Sequence, residues 1–142
     1  MEKHARIYIS GHRGMVGRTI LDLLKRERFS TIITRTSAEL DLRDQQAVYD
    51  FFASEKPEYI FHFAGNTVRE NSDQSHLIPI NSIGTKNLLV ALSTINYNLF
   101  IYPSTSAVYN NQSLVLSEDT KTDPKTIYGK SKFLAEEFCL EH

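Results

Sequence analysis

The sequence has little of what several protein classes need. A single cysteine, Cys139, among 142 residues excludes an internal disulfide and a cysteine-rich zinc site, and it fits a reducing cytosol. Sixteen basic against seventeen acidic side chains indicate neither a nucleic-acid-binding arm nor a polybasic membrane patch. The longest apolar runs, such as Leu88–Leu92, are far shorter than the ~20 residues of a membrane span. We expect one cytoplasmic globular domain that binds no metal, membrane or nucleic acid.

Strand-like and helix-like segments alternate along the chain. Runs of β-branched and aromatic residues predict four strands, at 6–10, 31–34, 59–63 and 99–102. Apolar residues at helical spacing predict four helices, over about 16–28, 45–55, 80–96 and 125–142. This alternation is typical of an α/β fold with a doubly wound parallel sheet (Rossmann), for which we predict the strand order 3-2-1-4. Ligands of such sheets bind at the carboxyl ends of the strands.

Three of the six glycines follow the first predicted strand, at Gly11, Gly14 and Gly17. In a nucleotide-binding turn, the first allows a tight bend, the second lets backbone N–H groups approach a pyrophosphate, and the third lets the helix pack closely on the strand. The start of the next helix, at Met15 and Val16, would stabilise the anion. The spacing GxxGxxG is one residue wider than the common GxGxxG fingerprint, so an ordinary glycine-rich turn is the alternative.

Arginines near the end of the second strand predict which dinucleotide binds. A carboxylate there would bind the ribose 2′-hydroxyl of NAD, whereas an arginine suits the 2′-phosphate of NADP. Arg35 follows this strand, Arg13 lies in the glycine loop, and the nearest acid, Glu39, comes a few residues later. We therefore predict NADP, with NAD as the second choice. The alternative is that Arg35 is a solvated surface charge.

A tyrosine and a lysine four residues apart suggest acid–base chemistry. Tyr128 and Lys132 would lie one turn apart on the same face of the last helix. An ammonium beside a phenol favours the phenolate, and the lysine can also donate to ribose hydroxyls. The hydroxyls of residues 104–106, at the end of the fourth strand, would donate to a substrate oxygen beside the tyrosine. An exposed helical pair and a Ser/Thr turn are the alternatives.

Short motifs distributed over the whole chain resemble the extended short-chain dehydrogenase/reductases, which include nucleotide-sugar epimerases, dehydratases and reductases. The motifs are GHRGMVG at 11–17, LDLRD at 40–44, FHFAG at 61–65, NSIGTKNLL at 81–89, STSAVY at 104–109 and YGKSK at 128–132. The resemblance implies cofactor contacts beyond the glycine loop. Asp41 and Leu42 would lie by the adenine, Ala64 and Gly65 along the cofactor, and Asn81 would anchor a nearby helix.

The resemblance also implies an activity. It suggests an NAD(P)-dependent nucleotide-sugar epimerase or reductase that transfers a hydride at a sugar carbon, with Tyr128 as acid/base, Lys132 as its partner and Thr105 as the catalytic hydroxyl. A regulatory module that binds NAD(P) without turnover is the alternative. Within the family, residues 11–65 most resemble the GDP-L-fucose synthases. Ala107, however, stands where those enzymes carry a cysteine used in epimerisation.

Length and assembly follow from the same resemblance. Family members continue past the tyrosine–lysine helix into a C-terminal substrate-binding region. We therefore expect residues 1–142 to be an NAD(P)-binding domain that is inactive alone, and residues 140–142 resemble an affinity-tag junction. Family members pair through the helices predicted here at 80–96 and 125–142. Apolar residues beyond one helical stripe predict such a homodimer, namely Leu88, Leu89, Leu92, Phe133, Leu134 and Phe138.

Overall fold

A computed structural model describes residues 1–67, 73–109 and 115–142. Its four strands form one parallel sheet, and they are β1 (Ile7–Ser10), β2 (Ile32–Thr34), β3 (Tyr59–His62) and β4 (Leu99–Ile101). The helices are α1 (Met15–Arg26), α2 (Gln45–Glu55), α3 (Gly84–Leu92) and α4 (Ile127–Glu141). A π-helical turn at Pro79–Ile83 leads into α3, so the helix predicted at 80–96 is shorter and irregular at its start. The predicted α/β class is confirmed.

The predicted strand order 3-2-1-4 is wrong, because the sheet has the order β2-β1-β3-β4. Ile7 on β1 pairs with Ile32 on one side and with Tyr59 on the other, so β3 lies next to β1 rather than outside β2. The chain leaving β2 returns across β1 through α2, whose Phe52 packs on Tyr8 of β1. A helix that crosses the central strand delivers the next strand to the far side of that strand.

The two faces of the sheet have separate cores. On one face, α2 and α3 cover Tyr8 and Ile60, and the ring of Phe52 meets the ring of Tyr8 edge-on with 5.4 Å between centroids. On the other face, Ile7, Ile9 and Leu24 form the smaller core beneath α1. β4 is an edge strand of the described sheet, and its outward side chains remain partly exposed, with Leu99 at 43% and Ile101 at 36%.

Three of the six apolar residues that predicted a homodimer are buried within the single chain, so they no longer support it. We expected Leu88, Leu89 and Leu92 to exceed what a single chain could cover, but all three are at most 3% exposed. The reason is that α3 packs against both α2 and α4 as well as the sheet, so a broad apolar surface is satisfied internally. The apolar side chains of α4 named above are only half-buried.

Two features of other protein classes are absent from the described ranges. No helix there is long and apolar enough to cross a membrane. No group of histidine, cysteine, aspartate and glutamate side chains there could hold a metal ion.

Candidate cofactor and catalytic site

The glycine loop between β1 and α1 is packed so closely that two of its glycines cannot carry a side chain. Gly11 has a φ of +67°, and a Cβ there would lie 2.5 Å from the carbonyl carbon of Phe63. A Cβ on Gly17 would lie 2.3 Å from the carbonyl oxygen of Gly11. At Gly14, by contrast, a Cβ would meet only the Gly11 carbonyl oxygen, at 3.3 Å. The fold therefore requires Gly11 and Gly17, while the bare surface of Gly14 is left for a ligand.

The start of α1 fits an anionic group. Gly14 is the N-cap residue and has no side chain to accept the first N–H groups of the helix. Met15 and Val16, in the first turn, are 86% and 48% exposed. A helix N-terminus with unsatisfied N–H groups and no acidic residue in its first turn is suited to a phosphate. The residues present thus fit the pyrophosphate of a dinucleotide.

About half of the predicted cofactor residues line one cleft of about 510 Å³ at the carboxyl edge of the sheet. Those that line it are Gly11, Arg13, Arg35, Asp41, Leu42, Ala64 and Gly65. The others lie outside its lining, namely Gly14, Met15, Val16, Gly17, Asn81, Tyr128 and Lys132. The cleft is also lined by residues that no sequence signal assigned to the cofactor, among them Tyr8, Ser10, His12, Thr36 and Ser37. His12 also has a buried Nδ1 atom without a hydrogen-bond partner among the described residues.

Charged side chains in and beside the cleft already form ion pairs and hydrogen bonds within the chain. Asp41 holds Arg43 by a bond of 2.6 Å between Oδ2 and Nη2, and the hydrogen bonds from Arg43 lower the pKa of the Asp41 carboxyl. The Glu39 carboxylate reaches back to accept from the Thr36 N–H at 2.7 Å. Hydrogen bonds from Thr36, followed by the charges of Arg35 and Arg13, lower the pKa of Glu39. Both acids near the second strand are therefore anions at neutral pH.

A row of buried polar side chains runs beneath the cleft from β1 to the start of α3. The Thr85 hydroxyl donates to the Asn81 carbonyl oxygen at 2.6 Å, so it must accept from Nε2 of His62, 2.9 Å away. Nδ1 of His62 then accepts from the Ser10 hydroxyl at 2.7 Å. The Ser10 oxygen in turn accepts from the Ala64 N–H at 3.1 Å. These bonds admit a single tautomer of a neutral His62 ring.

Asn81 continues this row to α4. Its side chain accepts from the Asn66 N–H at 2.8 Å and donates to the Asn66 carbonyl oxygen at 2.9 Å. It also donates to the Ser131 hydroxyl at 3.0 Å, and that hydroxyl donates to the Tyr128 carbonyl oxygen at 2.8 Å. Asn81 therefore ties a wall of the cleft to the helix that carries Tyr128 and Lys132, rather than lining the cleft itself.

The three predicted catalytic residues come from two segments that touch. Gly129 packs against the segment after β4, since a Cβ there would lie 2.3 Å from the Ala107 carbonyl oxygen. Two residues before Ala107, the Thr105 hydroxyl oxygen accepts from the Ala107 N–H at 3.3 Å. Lys132 donates from Nζ to the Pro103 carbonyl oxygen at 2.7 Å. The first turn of α4 is thereby set beside residues 103–107.

Lys132 is almost wholly enclosed. Its Nζ lies 3.9 Å from the centre of the Tyr102 ring, and that ring stacks on His62 with 5.8 Å between centroids. Burial lowers the pKa of Lys132 to about 8, and the nearby Glu136 opposes this shift. Lys132 is therefore still largely a cation at pH 7, and its proton comes off about one pH unit above neutrality.

A protein-family model places the chain among known proteins. The model of the NAD dependent epimerase/dehydratase family matches residues 7–142. The chain belongs to this family. The relatives include GDP-L-fucose synthase of Escherichia coli (strain K12), 34% identical over 107 residues that make up 73% of this chain and 33% of that protein. They also include putative GDP-L-fucose synthase 2 of Arabidopsis thaliana, 33% identical over 112 residues, or 77% and 34% of the two chains.

Solved structures of similar proteins agree with this membership. The GDP-mannoheptose C4 reductase of Campylobacter jejuni, solved with NADP bound, superposes with a TM-score of 0.88 at 28% identity and covers 98% of this chain. This epimerase/dehydratase-family chain covers 47% of that reductase. It spans about a third of the length of the two synthases it matches.

Acid should destabilise the fold through His62. Burial, followed by the charge of Lys132, lowers the pKa of His62 to about 3, against about 6.5 in an unfolded chain. Because the folded-state pKa is depressed, stability is full above pH 6.5 and declines as the pH falls toward 3. Between pH 7 and pH 5, we expect the parent to lose about 2 kcal/mol more unfolding free energy than His62→Gln.

Urea unfolding of both proteins at the two pH values measures this difference. His4→Gln is the matched control, because His4 is exposed and its replacement should leave the parent's acid dependence unchanged. Equal acid dependence in the parent and in His62→Gln would contradict the role given to this ring.

Proposed function

We propose that this chain is the NAD(P)-binding part of a nucleotide-sugar epimerase or reductase. The observation that carries the proposal is the meeting of three features at one sheet edge: the bare glycine loop, the cleft, and the tyrosine–lysine helix packed beside Thr105. Proteins named for nucleotide-sugar chemistry, with NADP bound in one case, are similar to this chain over most of its length. Ala107 stands where the GDP-L-fucose synthases carry a cysteine used in epimerisation, and this difference favours sugar reduction over fucose-type epimerisation.

The roles we propose follow the geometry. Gly11, Gly14 and Gly17 would let the pyrophosphate approach the backbone, and the N–H groups of Met15 and Val16 would bind it. The bound dinucleotide supplies the hydride chemistry. Asp41 and Leu42 would flank the adenine, and Ala64 and Gly65 would border the rest of the cofactor.

The acid–base roles concern α4 and the segment after β4, which pack together outside the lining of the cleft. Tyr128 would move the proton of the reacting sugar hydroxyl, and Thr105 would donate a hydrogen bond to the same oxygen. Lys132 would hold ribose hydroxyls and keep a positive charge near Tyr128. Retention of all three favours an enzyme over a regulatory module, which would not need a proton-transfer group.

We expect this chain to bind NADPH at least about tenfold more tightly than NADH, because charge-assisted bonds to a phosphate contribute roughly 1.5–3 kcal/mol each. Arg13 and Arg35 both line the cleft, where the 2′-phosphate would lie. Calorimetric titration of both cofactors measures the ratio. Equal affinities, or tighter NADH, would reject NADP as the preferred cofactor, and failure of both to bind would reject the proposed function.

Three further points belong to this proposal. The chain would act in the cytoplasm, and turnover would need a C-terminal region that binds the sugar. A homodimer through α3 and α4 also stays a proposal. Its support is now the exposure of Ile83 and Val90, at 41% and 40%, together with the half-buried apolar residues of α4.

A further inference from the structure

We propose that Glu55 and Arg6 set how strongly the cleft prefers NADP over NAD, by controlling the charge that Arg35 offers. This inference rests on the proposed function. Neither residue lines the cleft or would touch the cofactor, so both would be positioning residues that act through Arg35.

The contacts form a bridge of three charged side chains. Arg35 donates from Nη2 to Oε1 of Glu55 at 2.9 Å. Arg6 donates from Nη2 to Oε2 of the same carboxylate at 2.7 Å, and from Nε to the Glu55 carbonyl oxygen at 2.6 Å. One carboxylate therefore lies between two guanidinium groups, and each of its oxygens is bound to a different arginine.

The bridge engages the Arg35 guanidinium, which lines the cleft where a 2′-phosphate would bind. Arg35 follows β2, whose last residue Thr34 pairs with Ile9 near the carboxyl end of β1. Arg6 precedes β1 and therefore lies at the opposite end of that strand. Since both arginines reach the same carboxylate, the Arg35 head group is directed back along the sheet. A cofactor phosphate and Glu55 thus compete for one cation.

The formal charges predict whether each substitution strengthens or weakens the attraction between Arg35 and a phosphate. Arg6, Glu55 and Arg35 together carry a net charge of +1, so Arg6 offsets the carboxylate and leaves one positive charge for a phosphate. Without the charge of Glu55, Arg35 would attract the phosphate more strongly. Without the charge of Arg6, Glu55 would neutralise Arg35. Two further anions lie near this group, Glu39 beside Arg35 and Glu58 beside Arg6, and both keep their charge in Glu55→Gln and in Arg6→Gln.

Arg35 would keep its place when Glu55 is neutral. It donates from Nη1 to the Thr34 carbonyl oxygen at 2.9 Å, and its guanidinium lies 5.2 Å from the centre of the Phe51 ring. Neither contact needs the carboxylate. A glutamine at position 55 can also still accept a hydrogen bond from Arg35, so the substitution changes charge much more than shape.

The test is the ratio of the NADH to the NADPH dissociation constant. We expect Glu55→Gln to raise this ratio about threefold or more and Arg6→Gln to lower it by a similar factor, the scale of a partly exposed ion pair. NADH affinity should change less than twofold in both. Arg6→Lys should restore most of the parent ratio, because it restores the charge.

Glu58→Gln is the matched control. Glu58 accepts from the backbone N–H of Arg6 at 2.9 Å, so this variant removes a nearby negative charge without altering the Arg35 contact. Its ratio should equal that of the parent. Circular dichroism of each variant confirms that the fold is intact, because the ratio is compared only among folded proteins.

The outcomes separate the inference from the proposed function. Shifts of the same sign in Glu55→Gln and Arg6→Gln, or no shift in either, overturn the inference even if the parent prefers NADPH. A parent without preference contradicts the NADP assignment, and opposite shifts would then still support the control of Arg35 by its partners. A parent that binds neither cofactor overturns both.

Discussion

Tyr128→Phe is expected to lower turnover of a nucleotide sugar by about 100-fold or more, which is the usual scale of general acid–base catalysis. The affinity for NADPH should stay near that of the parent. The phenyl ring keeps the packing of a half-buried side chain, and the backbone of Tyr128 stays fixed by the Ser131 hydroxyl. Only the hydroxyl that would exchange the proton is lost.

Lys132→Ala is the companion variant, and it should impair both affinity and turnover. It removes the cation from the Tyr102 ring and the bond to the Pro103 carbonyl oxygen. Under the proposed function, the assay uses a form of the protein that includes a sugar-binding region. Parent-like turnover by Tyr128→Phe would remove the acid/base role from this residue. Since the pKa of Lys132 is about 8, activity that depends on its charge should decline above that pH.

Two similar substitutions in the glycine loop should separate an effect on stability from an effect on cofactor binding. Gly17→Ala should destabilise the chain by about 3 kcal/mol, at the upper end of overpacking costs, because its methyl group would lie 2.3 Å from the rigid Gly11 carbonyl oxygen. Gly14→Ala meets the same oxygen at 3.3 Å, and its φ of −74° suits any residue. Its stability should change by less than about 1 kcal/mol.

We expect Gly14→Ala to weaken cofactor binding although it hardly changes stability. Gly14→Ala places a methyl group where the pyrophosphate would approach the backbone, so NADPH affinity should fall about tenfold or more in a protein that still folds. Urea unfolding and calorimetry on the two variants measure both quantities. Unchanged affinity in Gly14→Ala would show that the phosphate does not bind at this loop.

The sequence predicted elements well because their signals are local. The glycine spacing, the alternation of strands and helices, and the start of α2 at Gln45 all depend on residues near one another in the chain. The order of the strands in the sheet, by contrast, does not follow from local signals. Alternation describes equally well a sheet in which β3 lies outside β2 and one in which it lies beside β1, so the pattern cannot choose between them.

The remaining differences between the sequence-based predictions and the structure arise from contacts between residues that are far apart in the sequence. The sequence predicts that Arg35 binds a phosphate or is exposed to solvent, but its ion-pair partner Glu55 lies 20 residues later, on α2. Leu89 was assigned to a dimer surface because a helix was assumed to have one apolar neighbour, whereas α3 has three. The row through Ser10, His62 and Thr85 was missed for the same reason. A histidine at the end of an apolar strand was its one visible signal.

The bare edge of β4 bears on how this chain behaves in concentrated solution. Leu99 and Ile101 present apolar side chains beside backbone groups that have no neighbouring strand in the described sheet. Such an edge attracts other strands. Salts that are excluded from protein surfaces, such as sulfate, would strengthen that attraction. We therefore expect a three-residue strand that does not line the cleft to contribute to self-association of this chain at high concentration.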